Sequence, residues 1–229
     1  MSWESKPDFC GLGGDILKVK SANPNNSSQY LEKLGQDGSI VATKLYGTKN
    51  ASPSNEYVIL KAGTISVQIG KVTTVDNKRY ALQSVTVKKT AGGEPTVSAT
   101  SVRIEDTTDG EDQMFEAVTL NVDPEETAEF SIGTNPVSGN DCEVTEVTTT
   151  VSGTVSPHNV NGDPVASGVH SGKVEVDVTV GQYGEADPTF GEIADFEKSA
   201  IENPDEPDSD MPSWTVKYEK TLAKATASA

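Results

Sequence analysis

The sequence predicts a mainly β domain, a β-sandwich or barrel of about ten strands with one short flanking helix and an extended hairpin or loop. Three observations support this class. Only 34% of the 229 residues are hydrophobic, and Thr, Ser, Val and Gly are plentiful, which is typical of sheets with solvated faces. Alternating apolar and polar runs recur, as in Val174–Val180, where every second residue is valine. Turn-forming clusters such as residues 23–28 and 92–95 separate these runs.

The chain is expected to have three parts. Residues 1–38 are predicted to be a loop-rich N-terminal arm, in which Tyr30–Leu34 forms one helical turn. Residues 39–222 are predicted to form the β-sandwich domain. Residues 223–229 are predicted to be a C-terminal tail.

The strands within the domain are predicted from alternation and from the turns between them. In chain order they are residues 39–46, 56–61, 65–69, 72–75, 80–87, 96–105, 114–122, 128–132, 143–155, 172–183 and 213–222. The apolar phase changes between Leu82 and Val85, which predicts a β-bulge or burial on both faces. Residues 76–78 form a predicted turn. The two long strands 143–155 and 172–183 are expected to pair as an extended hairpin.

One helix is predicted at about residues 189–202. Thr189 and Glu192 have the spacing of a capping box, in which each side chain bonds the backbone of the other residue. Apolar residues that begin with Phe190 and Ile193 then follow at helical spacing. An Asn-Pro pair ends the pattern.

Charge is distributed unevenly along the chain. Residues 1–103 carry 13 Lys/Arg and 8 Asp/Glu, residues 104–229 carry 5 and 27, and the net charge is −17. No Lys or Arg lies between Arg103 and Lys173. A domain with one mildly basic and one strongly acidic half is a dipole, which suits head-to-tail stacking. The acidic excess argues against wrapping nucleic acid, because phosphate binding needs cations, but it suits a wall along which DNA slides without sticking.

The residues indicate no catalytic, metal or cofactor site, and the protein is not expected to be an enzyme. His158 and His170 lie in a predicted Gly- and Pro-rich loop, where solvent exposure is expected. The acidic clusters 106–112 and 205–210 do not have EF-hand spacing, and solvated loops are favoured over incidental divalent binding. Residues 11–14 do not form a dinucleotide loop, because no strand leads into them and no helix follows.

The cysteine count and the hydropathy indicate the compartment in which the protein is expected to assemble. Cys10 and Cys142 are the two cysteines, and unpaired thiols are expected. The start of the chain lacks the apolar region of a signal peptide, and no run reaches the roughly 18 apolar residues of a membrane helix. We therefore expect assembly in a cytoplasm and no membrane partner.

Several features together resemble one family. They are the loop-rich start, the stretch Thr86–Ile104, the hairpin Glu143–Tyr183, the predicted helix and the closing strand Trp214–Tyr218. With these the chain resembles the tail tube (major tail) proteins of long-tailed bacteriophages. The resemblance implies a virion structural protein whose extended hairpin docks on neighbours. Six subunits would form a ring, and rings would stack head to tail, alongside other virion tail proteins, into a tube with a negatively charged lumen through which DNA passes without specific binding.

Two candidate surfaces follow from this interpretation. The candidate inter-subunit basic face is Lys71, Lys78, Arg79, Lys88 and Lys89. The candidate acidic lumen or stacking face is Asp106, Asp109, Glu111, Asp112, Glu175 and Asp177. Contacts between such faces would mainly steer and orient subunits, so reversal of Lys88 and Lys89 to glutamate is expected to weaken assembly.

Two alternatives remain open. One is a capsid decoration, fibre-associated or adhesin-like β-sandwich protein, which would not polymerise alone. The other is an enzyme of unrecognised type, for example a carbohydrate-active one. The oligomeric form in solution discriminates between these classes, because only the tail tube interpretation predicts rings and filaments.

Overall fold

The computed structural model describes residues 6–25, 29–34, 39–46, 52–104, 115–125, 127–132, 137–138, 143–158, 168–183, 189–202 and 213–223. These ranges contain fifteen strand segments and no helix. No membrane-spanning helix occurs among the described residues. The strands are β1 (Leu17–Asn23), β2 (Gln29–Leu34), β3 (Ile40–Tyr46), β4 (Ser54–Ile59), β5 (Gly63–Val67), β6 (Val72–Val75), β7 (Lys78–Thr90), β8 (Thr96–Ile104), β9 (Val118–Val122), β10 (Val137–Ser138), β11 (Glu143–His158), β12 (Gly168–Tyr183), β13 (Thr189–Phe190), β14 (Glu197–Glu202) and β15 (Ser213–Leu222).

Nine of these strands form one large antiparallel sheet. Eight of them lie in the order β1-β4-β8-β7-β11-β12-β15-β14, and β6 pairs with the start of β7. Three two-stranded ribbons complete the described structure: β2 with β3, β5 with β9, and β10 with β13. The predicted class, a mainly β sandwich with an extended hairpin, is confirmed.

The core lies against one face of the large sheet. The four valines of β12 from Val174 to Val180 are all 0% exposed, as their alternation predicts. At one end this face packs against the β5–β9 ribbon, through residues such as Val67 and Leu120. At the other end it packs against Phe130 and Ile193, which lie outside the strands. Burial of each such side chain stabilises the fold by roughly 1.5–3 kcal/mol.

Strands β11 and β12 form the predicted long hairpin. They pair from Glu143 opposite Tyr183 to His158 opposite Gly168. Strand β7 pairs with β11 only as far as Ser152, and β15 pairs with β12 from its end at Tyr183 only as far as Val174. The distal pairs therefore extend past both neighbours as a two-stranded arm. Both histidines lie on these paired strands, so their predicted placement in a loop is wrong.

Two local features of β7 match the sequence. The register of β7 against β8 shifts between Leu82 and Ser84, which is the β-bulge that the phase change predicts. The turn into β7 has Asp76 and Asn77 at φ of 50° and 59°, a conformation that Asp and Asn tolerate better than most residues.

The predicted helix at 189–202 is wrong. Residues 197–202 form the edge strand β14, which pairs with β15. Between β13 and β14 the chain turns, with the amide of Phe196 donating to the carbonyl of Ile193 at 3.0 Å and Asp195 at φ 67°. This turn places Ile193 in the core, so the apolar side chain is buried without a helix. Tertiary pairing with β15 therefore overrides the local capping pattern.

Two smaller predictions also differ from the structure. Residues 30–34, expected to be a helical turn, belong to β2 and pair with β3. Residues 128–132, expected to be a strand, contain no strand, although the amide of Asn121 donates to the carbonyl of Ser131 at 2.7 Å. Each stretch is too short for alternation to distinguish these states. Within the predicted N-terminal arm, β1 pairs with β4 and so enters the large sheet.

Gly153 should not tolerate a larger side chain. A Cβ atom there would lie 2.7 Å from Val174 Cγ2 and 2.8 Å from Ile69 Cγ2. Gly153→Ala is therefore expected to lower the free energy of unfolding by about 1–3 kcal/mol through overpacking. The matched control is Gly181→Ala on the same hairpin, where the nearest atom would be 3.5 Å away. Equal urea midpoints for the two variants would contradict this packing.

Candidate assembly surface

The face of the large sheet opposite the core is polar, and it is called the polar face below. Across β7, β8, β11, β12 and β15 it presents hydroxyl-bearing and charged side chains. They are Ser84, Thr86, Lys88, Ser98, Thr100, Glu146, Thr148, Thr150, Ser152, Lys173, Glu175, Asp177, Thr179, Thr215, Lys217, Glu219 and Thr221. Alternation along each strand produces this face, because the intervening residues point into the core.

Strand register aligns the polar face into rows that cross the sheet. One row runs over eight strands, each residue directly opposite the next, which spans about 34 Å at the usual strand spacing. The row is Ser21, Glu56, Ser98, Thr86, Thr150, Asp177, Glu219 and Glu197. Hydroxyl pairs reinforce the face: Thr86 and Thr150 lie 3.2 Å apart, Ser84 and Thr100 2.7 Å apart, oxygen to oxygen.

Lysines on the polar face are paired with carboxylates of the same chain. Lys88 Nζ lies 2.8 Å from Glu146 Oε2 on the neighbouring strand. Lys217 Nζ lies 2.6 Å from Glu219 Oε1, and Lys173 pairs with Glu175. These pairs are partly exposed, so each contributes little to stability. Each pair neutralises the charge of its lysine. The carboxylates outnumber the lysines on this face, so the polar face carries a net negative charge.

Asp177 lies at the centre of the acidic part of this face. Partial burial raises the pKa of its carboxyl group, and the nearby carboxylates of Glu219 and Glu175 raise it further, whereas Lys217 lowers it. A hydrogen bond from Lys217 lowers the pKa of Glu219. These three carboxylates thus form an acidic cluster that shares two cations, Lys217 and Lys173.

The structure does not bring the five predicted basic residues together. Lys71, Lys78 and Arg79 lie where β6 meets the start of β7. Lys88 lies on the polar face near the other end of β7, about 30 Å away along the strand. One basic face built from all five residues is therefore a wrong prediction.

Lys89 lies on the core side of β7 and is only 2% exposed. Adjacent strand residues point to opposite faces, which separates it from Lys88. Burial lowers the pKa of its ammonium group, and the carboxylates of Glu129 and Asp123 partly offset this effect. Lys89 is thus a buried cation facing the segment that covers the core, and it does not contribute to an exposed basic surface.

The predicted acidic residues divide into two groups. Glu175 and Asp177 lie side by side on the polar face, as their alternation with the valines predicts. Asp106, Asp109, Glu111 and Asp112 lie outside the described residues. Sequence reasoning missed Glu146 and Glu219, although the alternate spacing of Lys217 and Glu219 is a signal of one solvated strand face.

A second polar arrangement, also missed from sequence, holds residues 6–14, here called the N-terminal clip. The side chain of Asn55, 2% exposed, accepts from the amide of Phe9 at 2.8 Å and donates to the carbonyl of Pro7 at 2.9 Å. The hydroxyl of Tyr57 donates to Asp8 Oδ1 at 2.5 Å. Asp8 also accepts from the amides of Gly11 at 2.9 Å and Gly13 at 2.7 Å.

The apolar contacts of the clip are buried as well. Phe9 packs edge-on against Tyr80, with ring centroids 5.1 Å apart. Cys10 is 2% exposed and its thiol neighbours the Ser101 hydroxyl. Burial raises the pKa of this thiol to about 11, which keeps it protonated and unreactive.

Two surface pockets are lined by described residues. Their volumes are about 280 and 210 Å³, below the roughly 300–1,000 Å³ typical of ligand sites. Among the described residues no group of three or more His, Cys, Asp or Glu is arranged to hold a metal ion. What these residues do present is an extended surface.

The chain matches no protein-family model and no curated protein. The resemblance to tail tube proteins gains no support from these two findings.

Proposed function

We propose that this protein is a self-assembling virion structural protein, the subunit of a phage tail tube made of stacked six-membered rings. The polar face of the large sheet lines the channel. The single observation that carries the proposal is this wide, regular face of hydroxyls and carboxylates, with its lysines paired within the chain. A wall of this kind hydrates well and offers DNA phosphates no free cation cluster, so DNA slides past it.

The long hairpin supports assembly. Its distal arm has no third strand beside it in the described structure. Two-stranded ribbons are only marginally stable in water, and contact with a neighbouring subunit would stabilise the arm. The net charge of −17 supports the same function, because an acidic channel repels a polyanion.

Chemical labelling tests which face lines the channel. Ser98 is exposed on the polar face, and Ser98→Cys in a Cys142→Ser background provides a reactive thiol there. We expect a polymer-linked maleimide to label dissociated subunits quickly and assembled protein slowly, since the polymer cannot enter a narrow channel. A small maleimide, the size control, should label both forms.

Rapid labelling of assembled protein by the polymer reagent would place the polar face outside, as expected for a capsid decoration protein. Buried Cys10 does not interfere, because it is 2% exposed and its thiol stays protonated.

A further inference from the structure

We propose that His158 and His170, the two histidines of the chain, form a binding site for a divalent transition metal ion such as Zn²⁺ on the distal arm of the long hairpin. The distal arm is the part of β11 and β12 beyond Ser152 and Val174, where no third strand pairs with them in the described structure. The ion would bind the free subunit, so the inference goes beyond the tail tube function and does not depend on it.

The strand register places the two histidines as diagonal neighbours on the arm. Ser156 lies directly opposite His170, and His158 lies directly opposite Gly168. Each strand thus contributes one histidine, and the two positions are offset by two residues. Residues two apart on a strand share a face, so both histidines belong to the same face of the ribbon.

Diagonal positions are close enough for two imidazoles to bind one ion. Residues at such positions lie about 7–8 Å apart, and their Cβ atoms are somewhat closer. An ion between the two strands would be within reach of both rings, since a metal–nitrogen bond is about 2.0–2.1 Å long. Imidazole nitrogen suits Zn²⁺, Cu²⁺ and Ni²⁺, whereas Mg²⁺ and Ca²⁺ prefer oxygen ligands. The pair therefore selects a transition metal ion.

The acidic cluster of the polar face is too distant to complete the site. Ser152, which lies opposite Glu175, is six residues from His158 along β11, a separation of about 20 Å. Lys173 lies nearer to the arm, and its charge is paired with Glu175. Two protein ligands leave the remaining positions of a four-coordinate ion to water or to a group of another molecule.

A bound ion would stabilise the arm. A two-stranded ribbon is only marginally stable in water, and an ion held by both strands favours their paired form. A ligand that binds the folded form alone stabilises that form by mass action. Zinc is therefore expected to slow amide hydrogen exchange in the distal arm and to leave exchange in the rest of the large sheet unchanged.

Zinc titration of the purified full-length protein tests the site. A Cys142→Ser parent protein removes one thiol, and Cys10 is buried with its thiol protonated. Excess Mg²⁺ is present throughout to occupy carboxylate sites. We expect the zinc affinity measured by calorimetry to fall at least about tenfold in His158→Gln and to the same extent in His170→Gln. Hydrogen exchange in the arm, measured by mass spectrometry, should slow with zinc in the parent protein and not in these variants.

The pH dependence counts the histidines that bind the ion. A histidine must lose its proton before it binds a metal ion, and imidazoles titrate between about pH 5 and 8. Lowering the pH from about 7.5 to about 5.5 should weaken zinc binding roughly tenfold for each histidine, and so roughly a hundredfold for the pair. A change of only about tenfold would overturn the paired site, because it would mean that one histidine binds alone.

A shift of one residue provides the matched control. His170→Ser/Ser171→His keeps the composition of the chain and moves the second histidine to the opposite face of the arm. Its zinc affinity should equal that of His170→Gln. An affinity equal to that of the parent protein, in this variant or in either glutamine variant, would overturn the site. The pH titration uses an unsubstituted arm, so it decides the matter even if a variant does not fold.

Discussion

Replacing Lys89 with glutamate is expected to lower the free energy of unfolding by about 3–5 kcal/mol, because it buries an anion without a cation beside it. The side chain is 2% exposed, and the neighbouring charges that influence it are the carboxylates of Glu129 and Asp123. A carboxylate in this place would be desolvated and repelled at once. Chemical denaturation at neutral pH measures the loss.

The matched variant Lys89→Met separates charge from volume. Methionine fills similar space without a charge, and we expect its stability to lie within about 1 kcal/mol of the native protein or above it. An equal loss in both variants would contradict this account, since it would mean that the ammonium group itself stabilises the fold.

Lys89 also predicts a pH dependence. Its pKa is lowered in the fold, so between the folded and unfolded pKa values the unfolded chain binds more protons than the folded one. Stability from this group therefore rises as pH increases through the folded pKa toward 10.5. Lys89→Met should lose this alkaline gain, which can be measured as a flatter stability curve above neutral pH.

Burial of Lys89 changes what a charge reversal at Lys88 and Lys89 would test. A Lys88→Glu/Lys89→Glu double variant would assemble poorly because Lys89→Glu destabilises the core, whatever surface Lys88 occupies. Lys88→Glu alone is the informative change, because it replaces the ion pair with Glu146 by two like charges on the polar face. Its effect on folding should be small, since the site is solvated.

Replacing Asn55 with leucine is expected to lower the free energy of unfolding by about 2–4 kcal/mol, because the buried amide of Phe9 and the partly buried carbonyl of Pro7 lose their partner. The amide of Phe9 and the carbonyl of Pro7 have no substitute donor or acceptor in leucine. Residues 6–14 should then exchange amide hydrogen faster than the rest of the sheet, as measured by mass spectrometry.

The control for Asn55→Leu is Glu56→Gln, the next residue on the same strand. Glu56 lies on the polar face and pairs with Lys20 at 3.2 Å in a partly exposed site. Its loss should stay below about 1 kcal/mol. Comparable losses in the two variants, or unchanged exchange in the clip, would show that Asn55 does not hold the N-terminal segment.

Much of the sheet could be predicted because its strands alternate in sequence. The alternating valines of β12 predict which face of that strand is buried. The predicted strand 213–222 coincides with β15. Alternation also placed Glu175 and Asp177 on a solvated face. Such patterns are local, so a strand can be recognised from them before it is known which strands pair.

Other parts depend on contacts between distant residues and could not be predicted. The segment that begins at Thr189 has a helix start signal, yet the second half of this segment pairs with β15 as an edge strand. The clip depends on Asn55, which lies 46 residues from Phe9 in sequence. Lys88 and Lys89 looked equivalent as neighbours in sequence, but a strand points them to opposite faces of the sheet.

The central claim is that this chain polymerises into a tube, and electron microscopy of the purified full-length protein tests it most directly. The protein should be imaged in negative stain over a range of concentration and salt. We expect six-fold rings that stack into hollow tubes whose channel wall is the polar face. A uniform population of monomers or small closed oligomers at all concentrations, with no rings or tubes, would contradict it.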